Sequence, residues 1–259
     1  MRSLIDVPLC RPILAKKKCM SSRALVGVPR SNKRTIGIYM TIMPFTREDL
    51  KKNPPRMLAR GRWANADLSL FEIGSVTWVI KDFSPCKVPV RYTLGKFMVR
   101  RELQALKRLQ GIPGIAAEPF RLNPFAVAYH YIPGTTLKES RRTGVVTPDF
   151  FLLLEELVQR MHERNIVHLD IRYMRNILIT PEGTPALLDF QTSLALDRIP
   201  RMFQRLLKAI DLSGVYKCWQ KACPGTMDAE RLALLEAIQK KRSLWIFKGY
   251  PLGTRTSRR

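Results

Sequence analysis

The period of the hydrophobic pattern changes along this chain, and that change limits the folds open to it. From Leu68 to Phe83 the sequence LSLFEIGSVTWVIKDF crowds β-branched and aromatic residues into two stretches parted by Gly74-Ser75, the pattern of a hairpin. Lys96 to Gln110 switches to helical spacing, with Gly111 as its C-cap and Pro113-Gly114 as the turn that follows. A third strand-like stretch, Ala126 to Ile132, stops at Pro133-Gly134. Thr147-Pro148-Asp149 reads as a helix start, with a capping hydroxyl and a proline at the first helical position. The apolar stripe Phe150, Phe151, Leu154, Leu157, Val158 and Met161 continues it. Short apolar stretches follow at 166–171, 177–180 and 186–190, and Arg198 to Lys241 is helical by pattern.

Strands first and helices after predict an α+β fold. A small strand-rich lobe spans residues 43–128 and a helical lobe 129–239, with the natural ligand site in the cleft between them. Basic segments at 1–42 and 240–259 flank the two lobes.

Charge narrows the partners. With 45 Lys+Arg against 21 Asp+Glu the formal net charge is +24, which excludes an acidic solvating protein and points to phosphates, nucleic acid or anionic headgroups. Residues 1–40 hold 9 bases and 1 acid, the block Lys16-Lys17-Lys18 among them, with no sustained period, a composition that predicts disorder. The segment lacks the apolar core of a secretory signal, and a start at Met40 or Met43 would remove it. The last twenty residues mix cations such as Lys240, Lys241 and Arg242 with Trp245, Phe247 and Tyr250. That mixture suits an anionic membrane surface or RNA, and equally a tail packed back on the domain. No apolar run approaches the ~20 residues of a membrane-spanning helix. Five cysteines without a C-x-x-C pair predict reduced thiols and a cytoplasmic setting, peripheral at the inner face of the cytoplasmic membrane if the basic ends bind lipid.

Several polar residues stand where apolar ones are expected. Lys81 closes the run Ser75 to Ile80, and Glu102 is the one acid on the helical stripe Met98, Ala105, Leu106 and Leu109, so the two make a candidate ion pair. Further on comes His168-Leu169-Asp170-Ile171-Arg172-Tyr173-Met174-Arg175-Asn176, then Leu187-Leu188-Asp189-Phe190-Gln191. An aspartate after a short strand can accept a hydroxyl proton, while an asparagine and a second aspartate can hold Mg²⁺ by oxygen. These are parts that phosphoryl transfer needs. His168 and Trp78 read most simply as packed residues, and Arg175 as the partner of a neighbouring acid.

Over about Met57 to Asp197 this order of residues resembles the protein-kinase-like superfamily, whose signature runs from a strand lysine through a helix glutamate to H-R-D-x-x-x-x-N and D-F-G. The resemblance implies a bilobal kinase fold and the cofactors ATP and Mg²⁺. Lys81 then meets the ATP phosphates with Glu102 as its partner, Asp170 is the catalytic base, and Asn176 and Asp189 are the metal ligands. Arg172 takes the place of a lysine near the transferred phosphate. Gly61 in Gly61-Arg62-Trp63-Ala64-Asn65-Ala66 stands for the Gly-rich loop, and Tyr129 and Tyr131 lie in the hinge-like segment that would hold the nucleotide. There are departures: Asp170 and Asn176 are six apart rather than five, Leu169 replaces the motif's arginine, and Gln191 replaces the glycine of D-F-G. The hinge, the short C-terminal part and Asp211-Leu212-Ser213-Gly214-Val215-Tyr216-Lys217 look like lipopolysaccharide-core kinases of the Kdo type and RIO-type atypical protein kinases. The implied acceptor is a hydroxyl on a protein or a glycolipid. From a different class, a pseudokinase or basic nucleic-acid-binding scaffold accounts for the poor glycine loop and the charge.

Overall fold

The computed structural model describes residues 43–61, 65–142, 144 and 146–243. The expected disorder of the first forty residues and the aromatic part of the tail fall outside the described residues.

Helix α1 (Arg47–Lys52) begins at a capping box, in which Thr46 and Asp49 exchange backbone and side-chain bonds. Strands β1 (Arg56–Ala59), β2 (Asp67–Ile73) and β3 (Val76–Asp82) follow. A single turn, α2 (Val88–Val90), runs through a π-helical turn over Arg91–Gly95 into α3 (Lys96–Arg108). With β4 (Phe120–Asn123) and β5 (Ala126–His130) the strands complete an antiparallel sheet of five, ordered β1-β2-β3-β5-β4. Beyond it come β6 (Thr135–Thr136), α4 (Leu137–Ser140), α5 (Pro148–Glu163) and β7 (Ile166–Val167). The described part of the chain closes with β8 (Ile177–Ile179), β9 (Pro185–Leu187), β10 (Leu194–Ala195), α6 (Arg201–Ala222) and α7 (Ala229–Ser243). Strands β6, β8 and β9 form a small sheet, and β7 pairs with β10. The fold is mixed α+β, and no helix among the described residues is long and apolar enough to cross a membrane.

Strand alternation gives the five-stranded sheet two different faces. Trp78 and Ile80 of β3, Phe71 of β2 and Ala126 and Ala128 of β5 join Phe120 and Phe45 in one cluster. Phe45 closes it, its ring centroid 4.8 Å from Phe71, 5.6 Å from Trp78 and 5.0 Å from Phe120, tilted or edge-on as aromatic quadrupoles prefer. Val79, Lys81, Val127 and Tyr129 point the other way. Register fixes this, because Lys81 stands opposite Leu68 on β2 and Val127 on β5, and a slip of one residue would drive its ammonium into the aromatic cluster. The larger core lies on that second face, where α3, α5 and α6 contribute Leu106, Phe151, Leu154, Val158 and Trp219, and Leu109 joins from the end of α3. Every residue of the predicted stripe on α5 is buried.

Four details differ from the sequence expectation. The helical path begins at Val88 rather than Lys96, because Pro89 sits in the first turn, where its missing N–H costs nothing. Thr147 is the N-cap of α5, but its hydroxyl accepts no bond from the helix backbone, leaving Pro148 as the feature that starts it. The long C-terminal helix is two helices, since Pro224 cannot continue α6 and Gly225 turns the chain at φ +76°. Finally, α7 runs to Ser243, so a boundary at 239/240 falls inside a helix.

Candidate active site

Between the second face of the sheet and the β8–β9 hairpin lies an open cavity of about 610 Å³. Leu58, Val79, Ala116 and Leu178 give it apolar walls, while Lys81, Asn176, Asp189 and Gln191 bring polar groups to one end. Its size falls in the range of small-molecule sites, roughly 300–1,000 Å³. Gly61, Tyr129 and Tyr131 also line it.

Lys81 and Glu102 form the predicted ion pair. The ammonium Nζ lies 3.1 Å from Glu102 Oε1 and 3.0 Å from Oε2, and Glu102 is wholly buried. A second carboxylate joins them, Asp189, whose Oδ1 is 2.8 Å from Lys81 Nζ. Burial opposes a charged Lys81, but Glu102 and Asp189 outweigh it and hold its pKa above the ordinary lysine value. For Asp189 burial alone would raise the carboxyl, yet Lys81 prevails and the pKa lies below its usual 3.8. Glu102 is drawn both ways, up by burial and down by Lys81, with burial the stronger. An ammonium in contact with both carboxylates describes the trio. Tyr129 is buried beside Glu102, and burial together with that carboxylate raises its hydroxyl far above its ordinary pKa.

Asp170 and Asn176 are brought together despite their six-residue separation. A 3₁₀ turn over Met174–Asn176 folds the chain back, and Asn176 Nδ2 donates to both Asp170 Oδ2, at 3.0 Å, and the Asp170 carbonyl, at 3.1 Å. Burial raises the Asp170 carboxyl above its ordinary pKa against the pull of Asn176. Asp170 borders the cavity through Asn176 rather than lining it. His168 is fully buried, its Nε2 2.9 Å from the Leu188 carbonyl and its Nδ1 accepting from the Asp170 N–H at 3.3 Å, so it is the packed residue the sequence suggests.

Other assignments move. Arg172 turns to its neighbour, with Nη2 3.2 Å from the Tyr173 hydroxyl and the guanidinium 4.9 Å from the Tyr173 ring centroid, and it does not line the cavity. Arg175 does line it, and makes no ion pair with any described residue, contrary to the expectation of a neighbouring acid. The Tyr131 N–H is already bonded to the Thr77 carbonyl and that of His130 to Ala117, so Ile132 is the first residue of this segment whose N–H has no partner among the described residues. At Gly61 a Cβ would fall 2.0 Å from the Asn65 carbonyl oxygen, so only glycine fits, and its N–H donates to Asp67 Oδ1 at 2.7 Å.

Two residues that organise the site carried no assignment from sequence. Asp211, buried in α6, accepts from the N–H groups of His168 and Leu169, each at 2.7 Å, and lies 3.1 Å from His162 Nε2. Leu169 is held at φ +66°, a conformation unfavourable for a bulky side chain, by this clamp. On the same face of α6, a Cβ at Gly214 would already lie 3.0 Å from the Arg172 nitrogen, and Cys218 Sγ reaches the Ile171 and Arg172 carbonyls. The signal was present as Asp211, Gly214 and Cys218 at i, i+3 and i+7. Arg101 is the second, its Nε donating to the Ser193 carbonyl at 2.9 Å and its Nη2 to Thr192 at 3.0 Å, which ties α3 to the segment after Asp189.

The residues present suit a phosphorylated ligand with a divalent cation, since Lys81 offers charge and Asp189 and Asn176 offer oxygens at one end of an otherwise apolar cavity. Among the described residues no cluster of three or more His, Cys, Asp or Glu forms a metal site independent of such a ligand. No protein-family model matches the chain, and no curated protein sequence matches it.

Proposed function

We propose that this chain is a protein-kinase-like phosphotransferase that moves the γ-phosphate of Mg-ATP to a hydroxyl, on a protein serine or threonine or on a sugar of the lipopolysaccharide core. The observation that carries the reading is the Lys81 ammonium held between Glu102 and Asp189 at the cavity wall that also presents Asn176, itself bonded to Asp170. The five-stranded sheet with α3 acts as one lobe, the helical part after β5 as the other, and the cavity as the nucleotide cleft.

Lys81, kept charged and extended by Glu102, offsets the negative charge of the phosphates. Asp189 and Asn176 hold Mg²⁺ through oxygen, and bound Mg-ATP supplies the transferable phosphoryl group. Asp170 accepts a hydrogen bond from the acceptor hydroxyl and takes its proton, a task helped by the burial that raises its pKa, while the Asn176 amide fixes its orientation. The apolar walls Leu58, Val79, Ala116 and Leu178 enclose the purine. Arg175, exposed and unpaired at the rim, is better placed than Arg172 to meet phosphate.

A thermal-shift titration with ATP, with and without Mg²⁺, tests the site, because a ligand of the native state raises its apparent stability. The expected result is a Mg-dependent rise that Asp189→Ala abolishes. Asp170→Asn should keep the rise and lose transfer from γ-labelled ATP to protein and sugar acceptors. A wild-type protein without any Mg-ATP shift would refute the proposal in favour of a scaffold.

A further inference from the structure

The outer side of the segment from α2 into α3 exposes large apolar side chains that the catalytic reading does not use. Val88 is 59% exposed, Tyr92 51% and Phe97 54%. The π-helical turn aligns them. Its signature bond runs from the Lys96 N–H to the Arg91 carbonyl, five residues back, so Tyr92 and Phe97 lie about one turn apart on one side, Val88 precedes Tyr92 by an ordinary helical turn, and one edge of the Tyr92 ring meets Phe125 at 5.0 Å between centroids. Without the extra residue Phe97 would rotate off this stripe.

Cations flank the stripe along the chain. From Ser84 to Arg101 the chain contains no Asp or Glu, and Lys87, Lys96 and Arg100 are exposed. Lys96 Nζ lies 4.7 Å from the Tyr92 ring centroid, and Arg101 lies 5.1 Å from that of Phe97. Alongside runs a groove of about 560 Å³ whose cations are Lys96, Arg100 and Arg121. Glu102, the only acid of α3, is buried toward Lys81 on another face.

We propose that this face docks on an anionic phospholipid surface, with Val88, Tyr92 and Phe97 entering the headgroup–acyl boundary and Lys96, Arg100 and Arg121 meeting lipid phosphates. Exposed apolar side chains flanked by cations match an interfacial helix, for which buried apolar area and charge attraction act together. A nucleic-acid strand would use the groove cations and Phe97 but leave Val88 in water. The inference does not depend on the phosphotransfer reading.

Co-sedimentation of the full chain with vesicles of phosphatidylcholine, with and without phosphatidylglycerol, tests it. Binding should require phosphatidylglycerol and fall about tenfold or more in both Tyr92→Ser/Phe97→Ser and Lys96→Glu/Arg100→Glu. Phe97→Trp, which removes no buried packing, should show more quenching by brominated lipid than wild type. No vesicle binding by the wild type, equal binding to neutral vesicles, or binding that both pairs leave unchanged overturns the proposal. So does loss of single-stranded RNA binding in these variants with vesicle binding intact.

Discussion

Replacing Asp211 with alanine should both destabilise the protein and loosen the loop that carries Asp170. In the structure its two carboxylate oxygens accept from the buried N–H groups of His168 and Leu169, and one also faces His162 Nε2. An unpaired buried donor costs about 1–3 kcal/mol, so two orphaned backbone donors cost about 2–6 kcal/mol. Against a typical domain stability of about 5–15 kcal/mol, that is a large fraction. Urea unfolding followed by tryptophan fluorescence measures the loss from the midpoint at unchanged slope. Hydrogen exchange localises it, since the His168 and Leu169 amides should lose protection ahead of the core of α5. Adding Leu169→Gly tests the clamp itself. Glycine adopts φ near +66° without steric cost, so Leu169→Gly should stabilise the wild type, where the clamp enforces that φ, by about 1 kcal/mol and the Asp211→Ala protein by no more than that. A loss below about 1 kcal/mol, or unchanged exchange at the two amides, would refute the claim that Asp211 holds the loop.

Other consequences follow from burial and charge. Phe45→Ala opens the aromatic cluster on the first face of the sheet and should cost about 3–5 kcal/mol by urea unfolding, whereas a surface role would cost almost nothing. Gly61→Ala forces a Cβ against the Asn65 carbonyl, so the Mg-ATP thermal shift should shrink, and a full shift would dissociate this turn from the nucleotide. Asp189, with its pKa held below 3.8, adds stability that is complete above that value and lost as pH falls through the lower folded pKa. The stability lost by Asp189→Asn should therefore vanish in acid, and a pH-independent loss would contradict the Lys81 contact. Asp170 has the opposite sign. Its folded pKa is raised, so ionisation costs stability as pH rises above 3.8, and Asp170→Asn should be neutral or stabilising near pH 7 while abolishing transfer. A marked destabilisation at that pH would argue that Asp170 is structural.

Segments whose pattern is local were legible in the sequence. The β2–β3 hairpin announced itself through Gly74-Ser75 between β-branched runs, and α5 through Pro148 and its apolar stripe. Strand β1 was not legible, because Arg56–Ala59 is exposed along its whole length and shows no alternation to read. Phe45 was invisible for another reason. Nothing near it in sequence is periodic, and its partners Phe71, Trp78 and Phe120 are gathered only when the sheet forms.

The candidate site shows the same division. Lys81, Glu102, Asp170, Asn176 and Asp189 stood out because each is a polar residue set in an apolar run, a contradiction that a single stretch of sequence displays. Asp211 is more deeply buried than Asp170, Asn176 or Asp189, and its helical spacing with Gly214 and Cys218 stood in the sequence, but its purpose lies in two N–H groups more than forty residues upstream, which that spacing does not name. Arg101 is subtler still, since an arginine on a basic helix looks solvated until the Thr192 and Ser193 carbonyls are seen to meet it. Charge-bearing groups that would touch a ligand were therefore recognisable by type, while those that position them became recognisable only through the fold. The two sets are mechanically joined. Arg101 fixes α3, and with it Glu102, to the segment after Asp189, so the two carboxylates that face Lys81 are held by one side chain that touches neither. Arg101 and Asp211 thus tie down the two sides of the cavity, and between them they set the distance from Lys81 to Asp170.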